Sequence, residues 1–163
     1  MTAQEGLQPV PSSEKIDAPT GQRSELSGHC LDQLAELHTR VLDTIAGFKK
    51  VVEKAQPAFR PIADAFLAMH VRHEADLART LLASNRDPAA DGSVFGTVNR
   101  AAVEIKSWFE DVTDKIMDQI KSAEIHILEA YTDAKGACQG DEVNALIARH
   151  EMDIDKLMRE HAT

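Results

Sequence analysis

The chain contains two near-identical hexapeptides, Arg72-His73-Glu74-Ala75-Asp76-Leu77 and Arg149-His150-Glu151-Met152-Asp153-Ile154. Each lies in a stretch where apolar residues recur every three or four positions, the spacing of one buried face of an α-helix. This repetition predicts a duplicated helix hairpin that carries a histidine and a carboxylate at a similar depth in each copy. Because polar side chains in a helical core need partners, the two hexapeptides indicate either a metal site or a hydrogen-bonded group.

Outside the hexapeptides, the same spacing predicts four helices and no strand. They cover about residues 30–54, 61–83 and 112–134, and a last helix from residue 141, with Ser27 and Asp141 as caps of the first and fourth. The predicted apolar stripe of the first helix consists of Leu34, Leu37, Val41, Ile45, Phe48 and Val52. The pattern predicts an all-α, up-down-up-down four-helix bundle.

The bundle is predicted to span residues 28–163, after a disordered tail. Residues 1–27 are rich in Gln, Pro, Ser, Thr and Glu and show no periodicity. The connection between the second and third helices is long and contains an extra helical segment at residues 94–109. We expect Trp108 and Phe109 of this segment to pack against the bundle or against a second subunit, because an exposed pair would favour aggregation.

Composition limits the classes of partner. The chain has 163 residues with 18 basic and 27 acidic side chains, a formal charge of −9, which argues against nucleic acid and anionic membranes as partners. No signal peptide and no apolar run long enough to cross a membrane is present, so the expected location is the cytoplasm. Cys30 and Cys138 are expected at opposite ends of the fold as free thiols.

A family resemblance rests on short patterns that occur in order along the chain. They are Leu34-x-x-Leu37, Asp43-x-Ile45-x-Gly47-Phe48, Gly92-Ser93-x-x-Gly96, Arg100, Lys106, Asp114-Lys115-Ile116-Met117, Glu124, Ala130-Tyr131-x-x-Ala134 and Glu142-Val143-x-x-Leu146-Ile147-x-Arg149. From Leu34 onward the chain resembles a bacterial ferritin-like family of unknown function, small four-helix bundles found in many stress-tolerant species. The resemblance implies a ferritin-like fold.

The chain departs from the ligand pattern of ferritin-like di-iron proteins. Those proteins use one Glu on each of two helices and Glu-x-x-His on each of the other two. Here the second helix has His70-x-x-His73, the fourth has His150 without the Glu, and the third keeps Glu124. The first helix has Lys49 and no carboxylate on its apolar stripe, so a Lys49–Glu124 ion pair is one alternative to a metal.

A second pattern resembles a hemerythrin-type site. Counting residues from the two short turns places histidines and carboxylates of all four helices in one slab about 10 Å thick. Ser122 stands where a second histidine of the third helix would be expected. The candidate metal ligands are His38, His70, His73, Glu74, Glu124, His126, His150 and Asp155. Imidazole and carboxylate donors suit Fe, Mn or Zn.

The sequence leaves several functions open. A metal-binding bundle would handle oxygen or peroxide, or buffer iron. In the alternative, His73 and His150 pair with carboxylates of neighbouring helices, and the protein is a metal-free, stress-associated structural or interaction bundle. We expect a homodimer, and the N-terminal tail is a candidate binding segment for a protein partner. No catalytic triad, phosphate-binding Gly loop or CxxC motif indicates another enzyme class.

Overall fold

The computed structural model describes residues 25–88 and 115–161, and every regular element in these ranges is an α-helix. The helices are α1 (Gly28–Lys54), α2 (Arg60–Ala83), α3 (Lys115–Ala137) and α4 (Asp141–Glu160). The predicted all-α architecture with four helices is confirmed over these ranges. Residues 1–24 of the predicted tail and the predicted segment 94–109, with Trp108 and Phe109, lie outside the described residues. In the two described ranges, no helix is long and apolar enough to span a membrane.

The helix ends follow local sequence signals. The Ser27 hydroxyl oxygen accepts a hydrogen bond from the Cys30 backbone N–H at 3.1 Å, as predicted for the cap of α1. The N-cap of α4 is Gly140, so the prediction of Asp141 as its cap is wrong by one residue. Asp141 and Glu142 instead place negative charge in the first turn of α4, where it interacts favourably with the helix dipole.

Side-chain contacts show that α3 runs in the same direction as α2. His70 contacts Glu124 and His73 contacts Tyr131, so residue numbers rise together along the two helices. The short turns at residues 55–59 and 138–140 make α1 antiparallel to α2 and α4 antiparallel to α3. The helix order is therefore up, down, down, up, and the predicted up-down-up-down order is wrong.

The length of the α2–α3 connection explains this error. A two- to five-residue turn forces neighbouring helices to be antiparallel, whereas about 30 residues can reach roughly 100 Å when extended. A helix of 24 residues such as α2 is only about 36 Å long. A connection of that length can return to either end of the bundle, so residue spacing alone does not decide the direction of α3.

Each helix contributes one apolar face to a common core. On α1, the predicted stripe is buried, with Val52 half-buried at its end. The rings of Phe48 on α1 and Phe66 on α2 stack with their centroids 5.4 Å apart. Burying a side chain of this size contributes about 1.5–3 kcal/mol, so this packing holds α1 and α2 in fixed register near the turn that joins them.

Cys30 and Cys138 form a disulfide, with 4.7 Å between their Cα atoms. The prediction of two free thiols at opposite ends of the fold is therefore wrong. Cys30 lies in the first turn of α1, and Cys138 directly follows α3. Because α3 is antiparallel to α1, the start of α1 and the end of α3 meet at the same end of the bundle.

Candidate functional site

Four histidine side chains are buried in the middle of the bundle: His38 on α1, His70 and His73 on α2, and His150 on α4. The Nε2 atom of each lies within hydrogen-bond distance of a carboxylate oxygen on another helix. An ionised carboxylate can only accept, so Nε2–H donates to it. A neutral imidazole in this tautomer has an unprotonated Nδ1 with a free lone pair.

The two hexapeptides pair with each other between α2 and α4. His73 Nε2 lies 3.4 Å from Oδ2 of Asp153, and His150 Nε2 lies 3.3 Å from Oδ2 of Asp76. In each hexapeptide the Asp follows the His by three positions, so both lie on one side of their helix. Because α2 and α4 are antiparallel, the His of each hexapeptide contacts the Asp of the other hexapeptide. The imidazole rings of His73 and His150 stack, with centroids 3.9 Å apart.

Tyr131 of α3 joins the two stacked imidazoles. Its hydroxyl oxygen lies 3.2 Å from Nδ1 of His73 and 3.3 Å from Nδ1 of His150, and its side chain is fully buried. Five side chains thus form one continuous chain of contacts, in the order Asp153, His73, Tyr131, His150 and Asp76. The sequence analysis missed the role of Tyr131, although it is the only tyrosine and lies at helical spacing from core residues of α3.

His70 and Glu124 form a second buried pair beside this chain. His70 Nε2 lies 3.0 Å from Oε1 of Glu124, and both side chains are completely inaccessible to solvent. Nδ1 of His70 and Oε2 of Glu124 have no hydrogen-bond partner. A third pair joins His38 Nε2 to Oε1 of Glu74 at 3.0 Å, and Nδ1 of His38 also lacks a partner. Burying each such atom without a partner lowers the stability of the fold by about 1–3 kcal/mol.

Burial disfavours the charged imidazoles. Burial, and then the nearby His150 and His70, lower the pKa of His73 to about 3. Burial also lowers the pKa of His150, although Asp76 opposes this effect. Burial would by itself raise the pKa of Asp76, but hydrogen bonds from His150 and Arg79 outweigh it and lower that pKa. His73 and His150 are therefore neutral at pH 7, beside an ionised Asp76.

Among the described residues, carboxyl groups outnumber cationic side chains at the centre. Four carboxylates surround the buried imidazoles: Glu74, Asp76, Glu124 and Asp153. Among the ion pairs of residues 25–88 and 115–161, Arg79 is the only Lys or Arg that pairs with any of the four. Burial, and then the charge of Glu124, raise the pKa of Tyr131, so its hydroxyl keeps its proton in the absence of a cation. The arrangement favours a positively charged ligand.

Comparison with protein-family models matches residues 29–136 to a domain of unknown function, DUF2383. This segment is well over half of the chain. The chain belongs to the DUF2383 family. Comparisons with curated proteins and with solved structures gave no match. The DUF2383 segment includes α2 and nearly all of α1 and α3, with Tyr131, whereas His150 and Asp153 lie beyond it on α4.

Six of the side chains that the sequence analysis selected take part in the histidine–carboxylate pairs of the DUF2383 bundle, with His38 and Glu74 as a pair of their own: His38, His70, His73, Glu74, Glu124 and His150. It does not bring in His126 or Asp155. The His126 side chain is 76% exposed and contacts Glu129 of the same helix, since it lies about 200° around α3 from the buried Glu124. Asp155 is exposed on α4 and pairs with Arg159.

The two remaining predicted features also lie at the surface. Lys49 is exposed on α1, one position after the buried Phe48. Because Glu124 is fully buried and pairs with His70, the predicted Lys49–Glu124 ion pair is wrong. Ser122 is exposed, and its hydroxyl donates a hydrogen bond to a backbone carbonyl of its own helix. Neither residue is part of the buried centre.

Imidazole and carboxylate groups, as found in this DUF2383 centre, are common ligands of transition-metal ions. In the described residues, however, they are not arranged around one point as the ligands of a single ion would be. Among the described residues, no three His, Cys, Asp or Glu side chains are placed together to hold a metal. Metal-ligating histidines, however, commonly donate their second ring N–H to a carboxylate. All four buried histidines have such a carboxylate, while their Nδ1 atoms either lack a partner or face Tyr131.

Proposed function

We propose that this protein is a ferritin-like four-helix bundle that binds a transition-metal ion, iron being the first candidate, in its buried histidine centre. The observation that carries the proposal is the uniform pairing of the four buried imidazoles. In each, Nε2–H donates a hydrogen bond to a carboxylate of another helix, and the unprotonated Nδ1 keeps a lone pair that can bind a metal ion. Two helix hairpins separated by a long connection support the ferritin-like description.

The charge of the centre supports a cation as the ligand. In the part of the chain that the structure describes, Arg79 is the only Lys or Arg paired with the four carboxylates, and Glu124 is completely buried. Uncompensated negative charge in a core is costly, and the free energy of the fold falls when a bound cation offsets it. Asp153, whose side chain is 46% exposed, is screened by water, so the effect is largest at Glu124.

The residues of the chain have distinct roles in this proposal. The imidazoles bind the ion, and the carboxylates orient the rings and hold the Nε2 protons. The apolar residues around them, including Phe48 packed on the His70 ring, exclude water. Bound iron would supply one-electron redox chemistry, which suits the buffering of iron or the handling of oxygen or peroxide.

A metal-free function is the second candidate, and the same contacts favour it. Each buried imidazole already has a carboxylate partner, and reciprocal pairs such as His73–Asp153 fix the register of α4 against α2. In that case the centre is a hydrogen-bonded core, and the protein is a stress-associated structural or interaction bundle. The predicted homodimer is part of this second candidate, and binding of a protein partner through the N-terminal tail is a separate, third function that the sequence leaves open.

Thermal unfolding with added metal ions separates the two candidates. Untagged protein at neutral pH is melted alone and with Fe(II) under argon, Mn(II) or Zn(II). A ligand at one hundred times its Kd stabilises the folded state by about 2.7 kcal/mol. We expect this gain for the wild type and for the surface control His126→Ala, and its loss in His150→Ala. Absence of any gain in the wild type would overturn the metal-binding proposal and leave the metal-free function.

A further inference from the structure

We infer that one side of α1 is a docking surface for residues 94–109 of the same chain. The surface consists of Asp43, Ala46, Gly47 and Lys50, and we call it the outer face of α1. α1 packs on α2 and α3 through its apolar stripe, which lies on the other side of the helix. The docking does not depend on metal binding at the histidine centre.

The outer face of α1 is covered although it points away from the core. Asp43 lies two positions after Val41 and two positions before Ile45, so it is about 200° around the helix from both of these buried residues. Asp43 is nevertheless only 8% exposed, and Gly47 is buried too. Because α2 and α3 contact the opposite side of α1, another part of the chain must cover these two residues.

The cover begins in the second half of α1. Arg40 and Glu36 lie three and seven positions before Asp43, which places them on the same side of the helix. Their side chains are 53% and 57% exposed. The outer side of α1 is therefore open to water up to Arg40 and closed from Asp43 onward.

The other described helices keep exposed apolar residues on the sides that face away from the core. Val71 on α2 is 45% exposed, Ile125 on α3 is 54% exposed and Met152 on α4 is 70% exposed. A segment that lay along one of these helices would bury such a residue. The exposures therefore favour α1 over α2, α3 and α4 as the helix that carries the docked segment.

The residues of the outer face suit close contact with a second helix. Gly47 has no side chain and Ala46 has a single methyl group, so another backbone can approach α1 closely there. A separate observation shows that water is excluded: Oδ1 of Asp43 is buried without a hydrogen-bond partner. A carboxylate on an open helix surface would be hydrated.

The ends of the α2–α3 connection identify the occupant. Arg86 Nη2 lies 3.0 Å from Oδ1 of Asp32, so the chain leaves α2 beside the start of α1. The disulfide places the end of α3 at this same end of the bundle, so α3 begins at Lys115 near the opposite end. Residues 89–114 must therefore travel the length of α1, which is about 40 Å for 27 residues.

The sequence of this connection fits an apolar helix surface. A helix over residues 94–109 would be about 24 Å long, and its apolar residues recur every three or four positions: Val94, Val98, Ala102, Ile105 and Phe109. Residues 1–24 are the other long part of the chain that could reach α1. They show no such spacing and are joined to α1 at one end only, so the connection is the better occupant.

Trp108 fluorescence tests the docking, because Trp108 is the only tryptophan of the chain and lies in the docked segment. Gly47→Gln inserts a side chain beneath the segment, and Glu36→Gln places the same side chain on the open part of the same side of α1. We expect Trp108 of the wild type to emit at short wavelength and to resist quenching by acrylamide. Gly47→Gln should shift the emission to longer wavelength and raise quenching several-fold, whereas Glu36→Gln should leave both unchanged.

Two fluorescence results would overturn the inference: a solvated Trp108 in the wild type, or Trp108 emission that Gly47→Gln does not change. If circular dichroism shows that Gly47→Gln does not fold, cross-linking of the wild type decides. A short amine cross-linker is added to a mixture of isotope-labelled and unlabelled protein, and we expect Lys106 to be joined to Lys50 of the same molecule. Absence of this cross-link, or its formation only between two molecules, would refute docking within one chain.

Discussion

Breaking the disulfide between Cys30 and Cys138 should remove a large part of the stability of the bundle. The bond joins cysteines 108 positions apart, with α1, α2 and α3 between them. In the chain-entropy model, closing a loop of this length lowers the entropy of the unfolded chain by about 16 cal/mol/K, which is about 4.8 kcal/mol at 25 °C. A domain is stable by only about 5–15 kcal/mol in total. Residual structure in the unfolded chain reduces the effect, so the figure is an upper value.

Guanidinium unfolding measures this effect. The oxidised wild type, the reduced wild type and the double variant Cys30→Ala with Cys138→Ala are compared. Reduction and double substitution should lower the unfolding free energy by similar amounts, and added reductant should not change the double variant. Two titratable thiols in the folded, unreduced protein, or equal stability of its oxidised and reduced forms, would refute the reasoning.

Three further changes test individual contacts. Glu124→Ala leaves the His70 imidazole buried without its partner and should cost about 1–3 kcal/mol in urea unfolding, whereas the exposed Glu129→Ala on the same helix should cost under about 1 kcal/mol; equal losses would contradict the buried pair. Burial raises the pKa of Asp43 to about 6, above its value in the unfolded chain. Ionisation of Asp43 therefore favours unfolding, and the free energy of unfolding falls as the pH rises from about 4 to about 6. Asp43→Asn should therefore stabilise the protein at pH 7.5 and be neutral near pH 4, and the opposite order in melting temperature would contradict the assignment. Ser27→Ala removes the cap of α1 and should cost about 1 kcal/mol, and unchanged thermal unfolding would show that the cap contributes nothing.

Local sequence features predicted the helices well. The spacing of apolar residues is set by the helix itself, so the stripe from Leu34 to Phe48 and the Ser27 cap could be read without knowing the fold. The direction of α3 could not, because a long connection allows either direction. The disulfide prediction failed for the same reason, since the distance between Cys30 and Cys138 depends on that direction.

The candidate site was predictable in part. Histidines in the middle of a helix, such as His73 and His150, lie at a similar level of the bundle whichever way the helix runs. The prediction that they are close together therefore does not depend on the helix direction. Their pairing with carboxylates of neighbouring helices was an expected alternative, and the contacts have this form. The exchange of Asp76 and Asp153 between the hexapeptides depends on the antiparallel register of α2 and α4, which sequence does not give.

Two side chains show the limit of reading one helix face at a time. Tyr131 occupies a core position, where an aromatic residue ordinarily packs, and only its contacts with two imidazoles indicate another role. His126 was selected with the other histidines, but it lies about 200° around α3 from the buried Glu124. It faces water.

The iron content of the untagged protein tests the proposed metal binding most directly. The protein is incubated with excess ferric citrate at pH 7.5, passed through a desalting column, and analysed for metal beside the double variant His73→Ala with His150→Ala. We expect the wild type to retain a stoichiometric amount of iron and to release it only in acid, because burial lowers the pKa of the His73 and His150 imidazoles below the ordinary value of about 6.5. The double variant should retain almost none. A wild type that retains no more iron than the double variant would contradict the proposal that this buried centre binds a metal.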